Sequence, residues 1–267
     1  MIKLNNISID FGGEYLFKNI SLLIKKTDRI GLIGNNGSGK TTLLKILAKN
    51  EELSSGNIEK ENNLKVAYLP QDLSFHSDIK LKEYAMGSSK AIQSLDNKLK
   101  KLNKELNETK VEKKQFILLD EIDSTQQEIN KIDVLKVEIL SEKIMKGLGF
   151  SDIDFNKGLN TFSGGWKMRA ELSRLLIQQP DLILLDEPTN HLDLPAILWL
   201  EKFLKSTKCS IVLVSHDIKF LNKNVNRILD ISNKSIKDFK GDYSKYMVYR
   251  EQEIDRQIRE KKNQDKY

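Results

Sequence analysis

An α/β fold, with strands and helices alternating in the doubly wound manner, is predicted by three observations along these 267 residues. Apolar runs of strand length recur at 29–33, 181–185 and 211–214. The first two are followed by stretches with helical spacing, at 42–49 and 196–205. The first run opens directly into Gly34-Asn35-Asn36-Gly37-Ser38-Gly39-Lys40-Thr41, which fits G-x-x-x-x-G-K-[ST].

Taken in order, residues 2–11 alternate loosely, with Ile2, Leu4, Ile7, Ile9 and Phe11 apolar, and a Gly12-Gly13 turn separates them from a second strand-like run at 20–24. The two read as a small antiparallel element leading into the glycine-rich loop. Leu43, Leu44 and Leu47 place a helix after that loop. Ser54-Ser55-Gly56 marks a turn, and 66–69 is a short strand stopped by Pro70 and followed by Gln71.

From residue 90 the character changes. Ile92, Leu95, Leu99, Leu102 and Leu106 form a narrow stripe at spacings of three and four, and a second amphipathic run carries Ile122, Ile129, Ile132, Leu135 and Ile139. Residues 107–114 between them are charged and lack apolar periodicity. The expectation is an inserted hairpin over 90–140, two antiparallel helices zipped along one seam, each arm reaching roughly 35 to 40 Å. Residues 90–114 hold eight lysines against four acids. That excess fits a solvated coiled-coil face or contact with nucleic acid.

The α/β pattern then resumes over 141–246. Ser163 opens a helix of about fifteen residues ending before Gln179-Pro180. The strand at 181–185 is closed by Asp186-Glu187-Pro188, and that at 211–214 ends at Ser215-His216-Asp217. From 247 to 267 the chain is charged with sparse apolar positions, Ile254 and Ile258, a helix with nothing to pack against by itself.

Composition narrows the function classes. Lys and Arg exceed Asp and Glu by six, which permits an anionic partner without requiring one. The single cysteine, Cys209, excludes an internal disulfide and lies in an apolar run, where a small buried residue competes with a nucleophile. No window approaches the ~18 apolar residues of a membrane span, and the start lacks a signal peptide's apolar core, so the expectation is a soluble, cytoplasmic protein.

The glycine-rich loop carries the chemistry. Glycines let successive N–H groups turn inward at a helix N-terminus, where phosphate oxygens bind; Lys40 would reach the β- and γ-phosphates and the Thr41 hydroxyl would ligate Mg²⁺. Asp186 and Glu187 end an apolar strand at the edge where open α/β sheets bind ligands. Adjacent strand residues point to opposite sides, so the two acids would take different tasks, one holding Mg²⁺ and the other orienting or deprotonating a water. Of the three histidines, His216 follows a strand at its ligand end, His191 is structural or interfacial, and His76 lies in a polar loop. Trp166 and Pro188 can be read as packing a helix start and ending a strand.

Gly34 to Thr41, Gln71, Phe162-Ser163-Gly164-Gly165-Trp166, Asp186 to Asp193 (DEPTNHLD) and Ser215-His216-Asp217 stand in the order and approximate spacing of an ATP-binding-cassette ATPase, which the chain resembles over nearly its whole length. The resemblance implies a P-loop nucleotide-binding domain with an antiparallel β subdomain and a helical subdomain, and ATP with Mg²⁺ as ligands. Phe11 resembles the aromatic that stacks on adenine, a position more usually Tyr. Gly34, Asn35, Asn36, Gly37, Ser38, Gly39, Lys40, Thr41 and Thr42 correspond to the ATP-binding loop. Gln71 resembles the residue that senses Mg²⁺ and the lytic water, Asp186 the Mg²⁺ aspartate, Glu187 the catalytic carboxylate, and His216 the histidine that touches the γ-phosphate. Asp193 matches the aspartate that communicates across a pair of cassettes. Ser163, Gly164 and Gly165 resemble the signature that binds the ATP of a partner cassette, with Phe162 where the family often has Leu.

The Ser-Gly-Gly-Trp signature, the hairpin between Gln71 and the signature, and the Tyr-rich 241–246 before a charged helix are similar to the first cassette of the ABC-F family, which acts on ribosomes. That implies a second cassette as partner, an arm at 90–140 that touches ribosomal RNA, and a linker from 247 onward. The ATPase subunit of a membrane transporter and a cassette that dimerises through its hairpin remain as alternatives.

Overall fold

The computed structural model describes residues 1–71, 78–86, 89–109, 112–131 and 134–264. Two compact units emerge, one from 1–73 with 180–267 and the other from 74–179.

Strands β1 (Ile2–Phe11) and β2 (Glu14–Ile24) pair antiparallel. The loose alternation has a physical cause. Leu4 and Ile7 are both buried because a bulge between them shifts the register, with Asn6 at φ 46°; Phe17 and Ile20 are both buried across Asn19 at φ 54°. After β3 (Arg29–Gly34) and α1 (Lys40–Leu47), β4 (Ser55–Lys60) joins β1 on its other side, although its Ser55-Gly56 start reads as a turn. β5 (Val66–Leu69) stops at Pro70 as expected.

In the unit spanning 74–179, α2 (Leu81–Ala85) precedes α3 (Ser89–Glu108), α4 (Glu112–Lys131), α5 (Val134–Gly147) and α6 (Gly164–Ile177). Helices α3 and α4 pack together, and their short connection makes them antiparallel. Leu102, Leu118 and Thr125 are buried in the seam, with Leu95, Leu99, Leu106 and Ile122 half-buried. Each of the two helices has 20 residues, so each arm reaches about 30 Å, short of the expected length. Of the second run, Ile122 lies on α4 and Ile139 on α5. α5 leaves Ile139 60% exposed and buries Ser141, Ile144, Met145 and Leu148, packing against α6. The expected seam positions Ile129, Ile132 and Leu135 lie outside the described side chains, as does Ile92; His76 lies outside the described residues.

The first unit resumes with β6 (Leu182–Asp186), α7 (Leu194–Ser206), β7 (Ser210–Val214), α8 (Ile218–Asn224), β8 (Arg227–Ser232), β9 (Ser235–Lys240) and α9 (Tyr243–Gln264). The main sheet runs β5-β6-β7-β3-β8-β9, parallel except for the antiparallel edge strand β9. Strands β6 and β7 are buried throughout, as expected for strands covered on both faces. One core joins the β1–β2 pair, α1 and the inner strands, including Ile7, Phe17, Leu43, Leu184 and Val212. β7 separates β3 from β6 by two strand spacings, about 10 Å, so the loop after β3 and the acids after β6 lie close together at one sheet edge. Among the described residues no helix is long and apolar enough to cross a membrane.

Candidate functional site

The loop after β3 is shaped by its glycines. A Cβ on Gly34, at φ 149°, would lie 2.6 Å from the Ile231 carbonyl oxygen, and one on Gly39, at φ 101°, would lie 2.5 Å from the Phe17 ring. Gly37, at φ 78°, faces open space. The Ser38 N–H donates to the Asn35 carbonyl at 3.1 Å, and Leu43 N–H to Gly39 at 2.8 Å begins α1. The Lys40 ammonium folds back onto the carbonyls of Gly34 and Asn35, at 2.9 and 3.0 Å. An anion in the loop would offer it a stronger, charged acceptor.

The two acids diverge for a reason the sequence did not suggest. Asp186 ends β6, but Glu187 leaves the strand in the left-handed conformation, φ 52° and ψ 52°, before a 3₁₀ turn at Pro188–His191. A turn, not strand alternation, therefore separates their carboxylates. Asp186 Oδ2 accepts from the Thr41 hydroxyl at 2.7 Å. Burial raises its pKa, with the Thr41 hydrogen bond and the charges of Lys40 and Lys45 opposing the shift. The Glu187 N–H donates to Val214 O at 3.0 Å, and its Oε2 accepts from the His216 N–H at 3.1 Å. Among the described residues its Oε1 is buried without a hydrogen bond, 3.5 Å from His216 Nε2, an approach that becomes an ion pair only on protonation. The His216 side chain is 75% exposed.

A cavity of about 520 Å³ collects most of the expected residues: Asn36, Gly37, Gly39, Lys40, Thr41, Thr42, Gln71, Asp186, Glu187 and His216. Leu16, which no motif signalled, and Asn190, inside the Asp186 to Asp193 motif but given no role, also line it. Gly34 and Asn35 line a second cavity of about 290 Å³ that shares Lys40, Glu187 and His216 and has Asp230, Tyr243 and Arg250 on its wall. None of the three was expected in the site: Asp230 lies on β8, and Tyr243 and Arg250 lie on α9, which begins within the tyrosine-rich segment. Tyr246 is 2% exposed and its hydroxyl donates to Asp230, so the base of the charged helix is packed into the unit. The Ser38 hydroxyl is buried without a hydrogen-bond partner among the described residues. The Phe11 side chain lies outside the described residues.

The oxygens of Thr41 and Asp186 suit a hard divalent cation, and the Glu187 oxygen that lines the same cavity has no hydrogen-bond partner among the described residues. Among the described residues no group of three His, Cys, Asp or Glu forms a cage. A cation at Thr41 and Asp186 would therefore share its shell with phosphate oxygens and water, the usual manner of Mg²⁺.

In the unit spanning 74–179, Ser163 is the N-cap of α6 in extended conformation and makes no side-chain cap hydrogen bond. Ser163 and Gly164 are exposed, Gly165 is half-buried, and a Cβ on Gly164 would meet nothing within 4 Å. Trp166 packs on Phe150 and Phe162, with ring centroids 5.0 and 6.5 Å away, and Arg169 lies over its ring at 4.5 Å. In the first unit Asp193 caps α7 by accepting from the Ala196 N–H at 3.1 Å, a local structural role.

The ABC transporter family model matches residues 17–190. Two curated proteins of Arabidopsis thaliana, ABC transporter F family members 5 and 2, are 37% and 38% identical over 96% of this chain, which spans only 37% and 38% of their lengths. The probable ATP-binding protein YheS of Haemophilus influenzae is 34% identical over 94% of the chain and 37% of its own length. Among solved structures, an ATP-binding subunit of an ABC transporter superposes with TM-score 0.68 at 15% identity, covering 90% of each chain. A dimeric ATP-binding cassette in a post-hydrolysis state with ADP and Pi gives 0.59 at 21% identity, covering 90% of this chain and 98% of its own. These two likenesses establish the fold.

Proposed function

Because the chain belongs to the ABC transporter family, as an ATPase cassette of the ABC-F type, we propose that it binds ATP with Mg²⁺ in the 520 Å³ cavity and hydrolyses it when paired with a second cassette. The observation that supports this most is Glu187, turned by its left-handed backbone into that cavity with Oε1 buried and unpartnered beside Lys40, Thr41 and Asp186.

The residues take these roles. Lys40 exchanges the Gly34 and Asn35 carbonyls for the β- and γ-phosphates, and the loop N–H groups from Gly37 to Thr42 cradle them. Thr41 and Asp186 would hold Mg²⁺, with Gln71 on the wall of the same cavity, and the ion would neutralise charge on the phosphates. Glu187 Oε1 takes the proton of a water whose oxygen bonds to the γ-phosphorus as the bond to the ADP oxygen breaks. His216 steadies the γ-phosphate, and Phe11 stacks on adenine. Ser163, Gly164 and Gly165 serve the ATP of the partner cassette, and Asp193 lies at the loop that communicates with it.

We assign residues 1–89 and 141–246 to the cassette core, 90–140 to the arm and 247–267 to a linker. ATP favours the closed pair of cassettes, and that state fits a ribosomal site in the cytoplasm. The exposed Lys98, Lys100, Lys101, Lys104 and Lys114 of the arm face RNA phosphates. Glu187→Gln should keep ATP affinity and lower turnover at least ~100-fold. With full-length protein carrying it, ribosomes should cosediment only with ATP, and less so when the arm lysines are neutralised. Undiminished turnover would overturn the assignment of Glu187; absence of cosedimentation would overturn the ribosomal reading alone.

A further inference from the structure

Tyr68 takes part in no step above, yet the fold brings it to the metal-binding carboxylate. In the parallel pairing of β5 with β6, Tyr68 stands opposite Leu184, so strand alternation puts its side chain on the face that Asp186 occupies two residues later. This is the face toward α1: Leu182 and Leu184 share a core with Leu43 and Leu44, and Tyr68 packs against that core. Thr41 of the same helix reaches Asp186 Oδ2 there. Strand β5 then leads through Pro70 to Gln71, which lines the same cavity as Asp186.

The Tyr68 hydroxyl is buried and has no hydrogen-bond partner among the described residues. Burial, followed by the negative charge of Asp186, pushes the phenol up to about 12, so it keeps its proton and is available as a donor. A phenylalanine would fill the same volume without leaving a polar atom dry, so an orphaned donor beside an acid calls for an explanation. Glu187 Oε1, in the residue after Asp186, is likewise buried without a partner among the described residues.

We propose that Tyr68 is a positioning residue for the metal–nucleotide site: its hydroxyl donates to a water or oxygen held at Asp186 once the nucleotide and a divalent cation enter, fixing the shell that Asp186 and Gln71 share. This rests on the ATP–Mg²⁺ reading of the cavity. The alternative is a ring that only fills space, whose hydroxyl is a cost without a use.

The test is Tyr68→Phe in the 267-residue chain, which removes one unpartnered oxygen and leaves the ring's packing intact. Three quantities are measured: the melting temperature without metal, affinity for a non-hydrolysable ATP analogue in chelator, and affinity of the analogue complex for Mn²⁺ by electron paramagnetic resonance. The expected results are a higher melting temperature, analogue affinity within two-fold of wild type, and Mn²⁺ affinity weakened about five-fold, roughly the worth of one hydrogen bond. A higher melting temperature with unchanged Mn²⁺ affinity would overturn the role of Tyr68 while leaving the site standing. Failure of the wild-type chain to bind the analogue or Mn²⁺ would overturn the site assignment and the Tyr68 role with it.

Discussion

The starts of α1 and α6 are both glycine-led helix N-termini, yet they are built in opposite ways. Gly39 caps α1 in a left-handed conformation with no room for a Cβ, and Lys40 is folded over the mouth of its own loop. Ser163 caps α6 in extended conformation, its side chain makes no cap bond, and Gly164 faces open space. The first is a closed cradle whose shape is enforced by Phe17 and Ile231 of its own unit. The second presents its unsatisfied N–H groups outward without a wall of its own. A helix end that is complete in itself suits a ligand of its own unit; one left open suits a ligand that arrives with another molecule.

The largest effect expected from this contrast comes from placing the same methyl group at each. Gly39→Ala forces a side chain onto φ 101° and against Phe17, which is fully buried and cannot swing away. Strain and overpacking together should cost about 3 kcal/mol and abolish nucleotide binding. Gly164→Ala meets nothing and should leave stability unchanged or raise it by about 0.5 kcal/mol, while nucleotide affinity of the isolated cassette stays constant. Urea unfolding and fluorescent-nucleotide titration of both variants check this. Equal losses at the two sites would break the distinction between a closed and an open helix start.

The same contrast explains what was legible. The phosphate loop could be read because its chemistry is local: glycine, lysine and threonine at fixed spacing dictate it, and Gly34 ends the strand that leads into it. Strands β8 and β9 escaped notice because their turn, Asn233-Lys234 at φ 50° and 60°, is a tight hairpin without glycine, and because Asp230 interrupts the apolar pattern. Asp230 is tolerated in the core only because Tyr246, sixteen residues on, donates to it. The twist of Glu187 into the left-handed region was likewise hidden, since nothing in Asp-Glu-Pro announces a positive φ. The hairpin stripe on α3 was legible in Leu95 to Leu106, whereas Ile139 of the second run is exposed and α5 packs Ile144, Met145 and Leu148 instead, against α6.

An open helix start needs support from elsewhere, and Trp166 supplies it. Its ring is clasped by Phe150, Phe162 and Arg169, and Gly149 at φ 96° leaves room for the Arg169 guanidinium, which donates to Leu148 O at 3.2 Å. Trp166→Ala should cost about 2 kcal/mol, less than a fully buried indole because this one is half-exposed, and Trp166→Phe about half as much. Hydrogen exchange at the amides of 163–168 should quicken in both variants. Unchanged protection there would mean that the backbone of α6 holds its own start and the aromatic cluster is incidental.

The smallest effect concerns the approach to that helix. Asp154 closes a 3₁₀ turn nine residues before Ser163, accepting from Lys157 Nζ at 2.7 Å and from the N–H and hydroxyl of Ser151 at 2.9 and 2.6 Å. The Lys157 ammonium first, then Ser151, hold its carboxyl down at about 2. A carboxyl depressed in the folded state stabilises the fold above its ordinary pKa of 3.8, and that contribution is lost as pH falls toward and through 2. Solvent reaches the pair, so the contribution is about 1 kcal/mol at neutral pH. Asp154→Asn should therefore lower stability by that amount at pH 7 and narrow its gap to wild type as the pH falls from 4 to 2. The phosphate-loop end of the molecule should show no matching change, because Asp186 is shifted the opposite way by burial. A gap that stays constant across that window would show that Asp154 acts through hydrogen-bond shape alone and not through its charge.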